Sequence, residues 1–252
     1  MDAAGLDFSV FDGDFKGGAP CDDSVHTEAA ARFDSLDAPV VYVPGDNEWA
    51  DCGGSYDPRE RLAHLRRVMF ARPDSFGRRR MPLEHQSARY PENTRWDAGG
   101  VVFVAVHVVG SNDDKADPAE YQARSAAGRA WLRDSFALAR TQAAAGVMVV
   151  IQADPYFELV SPADRAAKGV DALDPFVDAL REEAVRFAKP VALVHGDSHR
   201  YRLDHPLLAA DGTPVTNLVR CETFGTPDVS WVMATVDGHD PEVFRFEVER
   251  AP

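Results

Sequence analysis

Val40-Val41-Tyr42-Val43-Pro44-Gly45-Asp46-Asn47-Glu48-Trp49 joins an apolar run to a turn dense in carboxylate and amide. Val191-Ala192-Leu193-Val194-His195-Gly196-Asp197-Ser198-His199 does the same, with imidazole added. An apolar run bounded by glycine reads as a buried strand, so both turns set metal-type ligands at strand ends. Leu6-Asp7-Phe8-Ser9-Val10-Phe11-Asp12-Gly13-Asp14 is a third such junction, and Val147-Met148-Val149-Val150-Ile151-Gln152-Ala153-Asp154 a fourth. In an open α/β sheet, turns at the carboxyl ends of parallel strands converge on one crevice. Four polar strand ends therefore point to one site.

Helix starts are well marked between these strands. Asp57-Pro58, Asp117-Pro118 and Asp174-Pro175 each set an N-cap carboxylate before a proline at the first helical position, and Glu60 and Glu120 add an acid to the first turn. Leu62, Leu65, Val68 and Met69, and likewise Trp131, Leu132, Phe136 and Leu138, form stripes suited to covering a sheet. A further helix is expected over 26–36. Strands are expected at 6–11, 40–43, 101–108, 147–151 and 191–194, an alternating β/α order. After His199 come four strand-like runs without a helix between them, at 201–204, 215–220, 231–236 and 243–248, and this tail reads as antiparallel. The Arg- and Pro-rich stretch 74–93 reads as a long exposed loop, of the kind that often forms a functional rim. The fold class is α/β with mixed sheets.

The chain has 252 residues, 45% of them hydrophobic, enough for one domain over 1–252. A net charge of -14, with no Lys/Arg cluster longer than Arg78-Arg79-Arg80, argues against binding nucleic-acid backbone or an anionic membrane surface. No apolar stretch approaches the roughly 20 residues that span a bilayer, and Met1-Asp2-Ala3-Ala4-Gly5 is not the basic start of a signal peptide. Cys21, Cys52 and Cys221 lack the short spacing of a zinc site. Cys21 and Cys52 each follow a polar turn. They read either as two free thiols in a reducing cytoplasm or as a disulfide in an oxidising compartment, which would favour export. No Gly-x-Ser-x-Gly elbow or Gly-x-x-x-x-Gly-Lys-Ser/Thr loop occurs, so serine-nucleophile and nucleoside-triphosphate readings fall behind.

Gly13-Asp14, Gly45-Asp46-Asn47-Glu48 and His195-Gly196-Asp197-Ser198-His199, each at a strand end, resemble the motifs of the calcineurin-like metallophosphoesterases, in a divergent bacterial branch. The similarity covers most of the chain. It implies a four-layer α/β/β/α sandwich, a small phosphorylated substrate and two divalent metal ions. By the resemblance, Asp14 bridges the metals, Asp46 stands at the family's metal-binding Asn, and Gln152 takes the position of a lone His. Asp197 and His199 match the two imidazoles of the last motif, and Asn47 replaces the His that protonates the leaving group.

Three family histidines thus become Asn47, Gln152 and Asp197. Each can offer oxygen, which favours hard ions, so manganese, magnesium or iron is expected ahead of zinc. Asn47 cannot titrate near neutral pH, leaving His195 and His199 as candidate proton donors, with a place in the core as the alternative reading of His195. Lys16, after the Asp14 turn, and Asn112, with His107, after the 101–106 run, could touch an anionic substrate; solvated surface side chains are the plainer reading. Asp14 and Asp46-Asn47-Glu48 likewise have a plainer reading, as turn residues bonding their own backbone. The family's opening Asp-x-His strand has no room before Gly13, so the chain is expected to start at an internal methionine and to lack that strand. Two functions follow: a metal-dependent phosphoesterase, or a catalytically inactive relative that binds an anionic ligand or a protein in the same crevice.

Overall fold

The computed structural model describes residues 4–18 and 20–250. Met1-Asp2-Ala3, on which the reading of the chain's start rests, lie outside the described residues. A seven-stranded mixed sheet forms the centre. Its strands are β3 (Glu84–Ser87), β4 (Tyr90–Ala98), β5 (Val101–Ala105), β6 (Gly146–Val150), β7 (Val191–His195), β8 (Arg202–Asp204) and β9 (Leu218–Glu222), in the order β3-β4-β5-β6-β7-β9-β8. β5, β6, β7 and β9 run parallel, and the remaining pairs are antiparallel. Two smaller sheets flank it: parallel β1 (Ser9–Phe11) with β2 (Val40–Tyr42), and antiparallel β10 (Ser230–Val236) with β11 (Phe244–Arg250).

The unbroken apolar runs of β5, β6 and β7 exist because both faces of this sheet are covered. Alternate residues feed different cores. Val102, Val104, Val147, Val149, Val191 and Leu193 pack with Trp131, Leu132, Phe136, Leu180 and Phe187. Those partners come from α4 (Pro118–Thr141) and α6 (Asp174–Phe187). Phe103, Ala105, Met148, Val150 and Ala192 face the other way, onto Val41, Val43, Phe8, Val10, Phe244 and Phe246. On β2, Val40 and Tyr42 turn from that core to a third one, with Ala29 and Phe33 of α1 (Asp23–Asp34) and Leu62, Leu65 and Met69 of α2 (Pro58–Met69).

Asp57 and Asp117 cap α2 and α4 as their sequences require, accepting from the backbone N–H groups of Arg59 and Glu120 at 2.9 and 3.3 Å. Asp174 does not cap: it is the first residue of α6, after a 3-10 turn at Asp171–Leu173, and its carboxylate pairs with Arg165. A single turn after β5, α3 (Gly110–Asp113), and a short helix, α5 (Pro162–Lys168), had no apolar stripe to announce them; Ser161 caps α5. The expected loop at 74–93 is in part a hairpin, because it holds β3 and the start of β4 and buries Ser75, Glu92 and Asn93. Its arginines misled the composition reading: Arg78 and Arg80 pair with Asp37 and Asp34 of the preceding segment. The tail is not wholly antiparallel either. β9 joins β7 in parallel, Val191 opposite Leu218, since the chain returns across α6's end through the long 205–217 connection. No helix among the described residues is long and apolar enough to cross a membrane.

Leu193, wholly buried in central β7, supplies the first test. Leu193→Ala is expected to cost about 2–5 kcal/mol in urea unfolding, whereas Val248→Ala on exposed β11 changes stability by less than about 0.5 kcal/mol.

Candidate metal centre

Two turns meet first. β1 ends in Asp12-Gly13-Asp14, with Gly13 at φ 101° and Asp14 at φ 61°. β2 leads into Pro44-Gly45-Asp46. The turns touch so closely that a Cβ on Gly13 would stand 2.8 Å from the Gly45 nitrogen, and one on Gly45 would stand 2.8 Å from that of Asp14. Glu48, wholly buried, locks them together. Its carboxylate accepts from the N–H groups of Gly45 at 2.7 Å, Phe15 at 2.7 Å and Asp14 at 3.2 Å. Burial pushes the Glu48 carboxyl up to about 7, against the pull of these donors. Beyond the turns, the Lys16 ammonium donates to the carbonyls of Gly17 at 2.8 Å, Gly18 and Asn47. A buried Cys21–Cys52 disulfide then ties the two loops.

On this frame the carboxylates of Asp14, Asp46 and Asp197 converge, with one oxygen of each within 4.8 Å of the others. Asp197 arrives from the end of β7 in a left-handed turn, φ 73°, and accepts from the Asp154 N–H at 3.2 Å. Gln152, at the end of β6, donates its NH2 group to Asp14 at 2.8 Å and Asp46 at 3.2 Å, while its oxygen accepts from the Gly110 N–H at 2.6 Å. The Asn47 N–H points at Asp46 and Asp14, at 3.1 and 3.3 Å. Ser111 lays its hydroxyl 2.8 Å from Asp46 and 2.7 Å from Asp51. Gly110 comes so near that a Cβ there would lie 2.7 Å from both Asp46 and Asp197.

Burial, then the charges of Glu48 and Asp46, push the Asp14 carboxyl up to about 8. Burial and Asp46 push Asp197 up to about 6, and burial raises Asp46. Among the described residues no Lys, Arg or His forms an ion pair with any of the three. Lys16 and His199 offset this charge only through space; like charges gathered away from water are costly, and three hard oxygen donors could hold a hard divalent cation that removes the cost. A second group, Asp154, His195 and Glu222, also lies within 4.8 Å. There the charge is met internally, because Arg202 bonds Asp154 at 2.7 Å and also Glu222.

The structure therefore brings together Asp14, Asp46, Asp197, Gln152 and the backbone of Asn47. It turns the NH2 group of Gln152, rather than its oxygen, toward the carboxylates. His199 stands outside the cluster on the exposed rim, its Nδ1 2.9 Å from the Thr226 carbonyl. His195 is wholly buried, with its Nδ1 at the Gly196 carbonyl, and burial holds its imidazole down at about 3. Asn112 faces away, donating to Asp171 at 3.0 Å and accepting from the Ala172 N–H at 2.9 Å. Lys16 is spent on three carbonyls. Sequence reasoning missed Glu48 as the lock, and it missed Gly110 and Ser111. Their signal was present: Gly110-Ser111-Asn112-Asp113-Asp114 after the run of β5 is a fifth polar strand end.

Carboxyls raised above their unfolded values bind extra protons in the folded state. They favour folding below about pH 4 and lose that contribution as pH rises toward 8. Without divalent ions, Asp14→Asn is thus expected to melt higher than wild type at pH 8; were the three carboxylates to hold a cation, added Mn2+ would raise the Tm of wild type there and not that of the variant. Reducing the disulfide under denaturing conditions and blocking the thiols should lower stability by about 3–4 kcal/mol, read by urea unfolding. No protein-family model matches the chain, and no curated protein matches it.

Proposed function

We propose that this chain is a divalent-cation-dependent phosphoesterase of the calcineurin-like kind, cleaving the ester of a small phosphorylated substrate at Asp14, Asp46 and Asp197. The observation that carries the reading is the meeting of three carboxylates, from the ends of β1, β2 and β7, with no direct ion pair to any of them among the described residues. Its position on strand ends is where α/β sheets bind ligands. The stacking of three apolar cores, from α1 and α2 through β2 and the large sheet to α4 and α6, supports the four-layer α/β/β/α architecture.

A cation held there would polarise a phosphoryl oxygen and lower the pKa of a nearby water. Three carboxylates suffice for one ion, and the oxygen set favours manganese, magnesium or iron over zinc; a second ion would need donors beyond these three. Gln152, fixed by the Gly110 N–H, keeps Asp14 and Asp46 from rotating apart. His199 is the group we assign to hand a proton to the leaving oxygen: it is exposed, and with Nδ1 on the Thr226 carbonyl its Nε2 is left for the substrate. Asn47 cannot do this, and His195 is shut inside the core. The disulfide supports an oxidising compartment.

A second reading has its own observation. No imidazole stands in the cluster, and the NH2 group of Gln152 occupies its inner side. That arrangement suits a relative that holds an anionic ligand or a protein through its cation without turnover.

Elemental mass spectrometry after Mn2+ loading and desalting, followed by assay on p-nitrophenyl phosphate and bis(p-nitrophenyl) phosphate, separates the two. The phosphoesterase reading expects near-stoichiometric manganese, lost in Asp14→Ala and Asp46→Ala, with hydrolysis that falls at least about tenfold in His199→Ala. Retention without hydrolysis gives the binding reading the lead, and no retention sinks both.

A further inference from the structure

Arg124 is wholly buried on α4. Its guanidinium donates to the Asp113 carboxylate at 2.5 Å, the Asp113 carbonyl at 2.8 Å and the His107 carbonyl at 3.2 Å. Nε reaches Glu120 at 3.0 Å, and the plane lies 5.3 Å from the centre of the Trp49 ring. It therefore touches both the segment after β5 and the Asp46 turn.

What it holds is an unusual piece of backbone. Ser111, Asn112, Asp113 and Asp114 are all left-handed, at φ 49°, 55°, 53° and 49°. Residues with a Cβ visit that region singly and seldom in series, so such a run persists only where side chains over-determine it. Asp113 supplies one constraint, accepting from the Val109 N–H at 3.1 Å while it binds Arg124. Asn112 supplies another through Asp171 and Ala172. The product of the turn is the placement of two groups: the Gly110 N–H on Gln152 and the Ser111 hydroxyl on Asp46.

We infer that Arg124 is a positioning residue for the metal centre, setting through the 109–114 turn the orientation of Asp46 and Gln152 that a divalent cation requires. This rests on the reading of Asp14, Asp46 and Asp197 as a cation site. Lysine keeps the charge that Asp113 and Glu120 need but lacks the planar fork that grips a carboxylate and two carbonyls together. Partners outside the ligand sphere commonly carry a tenfold or larger share of metal affinity.

The test is Mn2+ titration by calorimetry, with Tm measured on the same metal-free samples, for wild type, Arg124→Lys, Ser111→Ala and Arg220→Lys. Arg220 is an equally buried cation, paired with Asp204 away from this path, and controls for lost stability. The inference expects the Mn2+ Kd to rise about tenfold in Arg124→Lys and several-fold in Ser111→Ala, with Arg220→Lys unchanged in Kd whatever its Tm. Should Arg124→Lys fail to fold, Asp113→Asn, which weakens the same guanidinium's grip on the turn, takes its place with the same expected rise in Kd and the same overturning result. Wild-type affinity in Arg124→Lys, or an equal loss in Arg220→Lys, overturns the inference while leaving the cation site standing. Absence of Mn2+ binding by wild type overturns the cation site itself, and the inference with it.

Discussion

One buried carboxylate organises this protein's candidate centre. Glu48 takes backbone N–H groups from Gly45, Phe15 and Asp14, and so fastens the end of β1 to the end of β2. The parallel pairing of β1 with β2 brings the two turns side by side, and the clasp offsets the repulsion of the negative side chain that each carries. The glycines at 13 and 45 are the steric counterpart of the same contact, since neither turn leaves room for a Cβ.

The clasp sets up an electrostatic conflict. Holding Asp14 beside Asp46, with Asp197 brought in from β7, concentrates charge where solvent can only partly screen it, and the raised carboxyls of Asp14 and Asp197 express that cost. The neighbouring group at Asp154 and Glu222 shows the other solution, an arginine placed between the acids. Two neighbouring acidic groups thus differ: one is a pair bridged by an arginine, the other a triad with no direct ion pair among the described residues. Strain in the 111–114 turn belongs to the same pattern, for stability is spent where geometry at the centre is at stake.

Much of this was legible in the chain. The runs of β2, β5, β6 and β7 named themselves because strands covered on both faces need no polar alternation. Asp57-Pro58 and Asp117-Pro118 marked their helices because capping is a local matter. Asp14, Asp46, Asp197 and Gln152 could be collected from strand ends alone. Other elements resisted for the same local reason: Glu92 and the hairpin around it read as loop, since its partners His107 and Arg66 are distant in sequence. His195 read either as a proton donor or as a core residue, and sheet packing decided for the core.

The sequence by itself determined the alternation of strands and helices, the capped helix starts and the supply of oxygen ligands at successive strand ends, because periodicity and turn chemistry act over a few residues. Only the tertiary structure decided that β9 would lie parallel beside β7, that Glu48 would clasp the turns, that Gln152 would present its NH2 group, and that Arg124 would reach the 109–114 turn. Those outcomes depend on burial and on hydrogen bonds between residues as much as 138 positions apart, whose free energies exist only once the layers have closed.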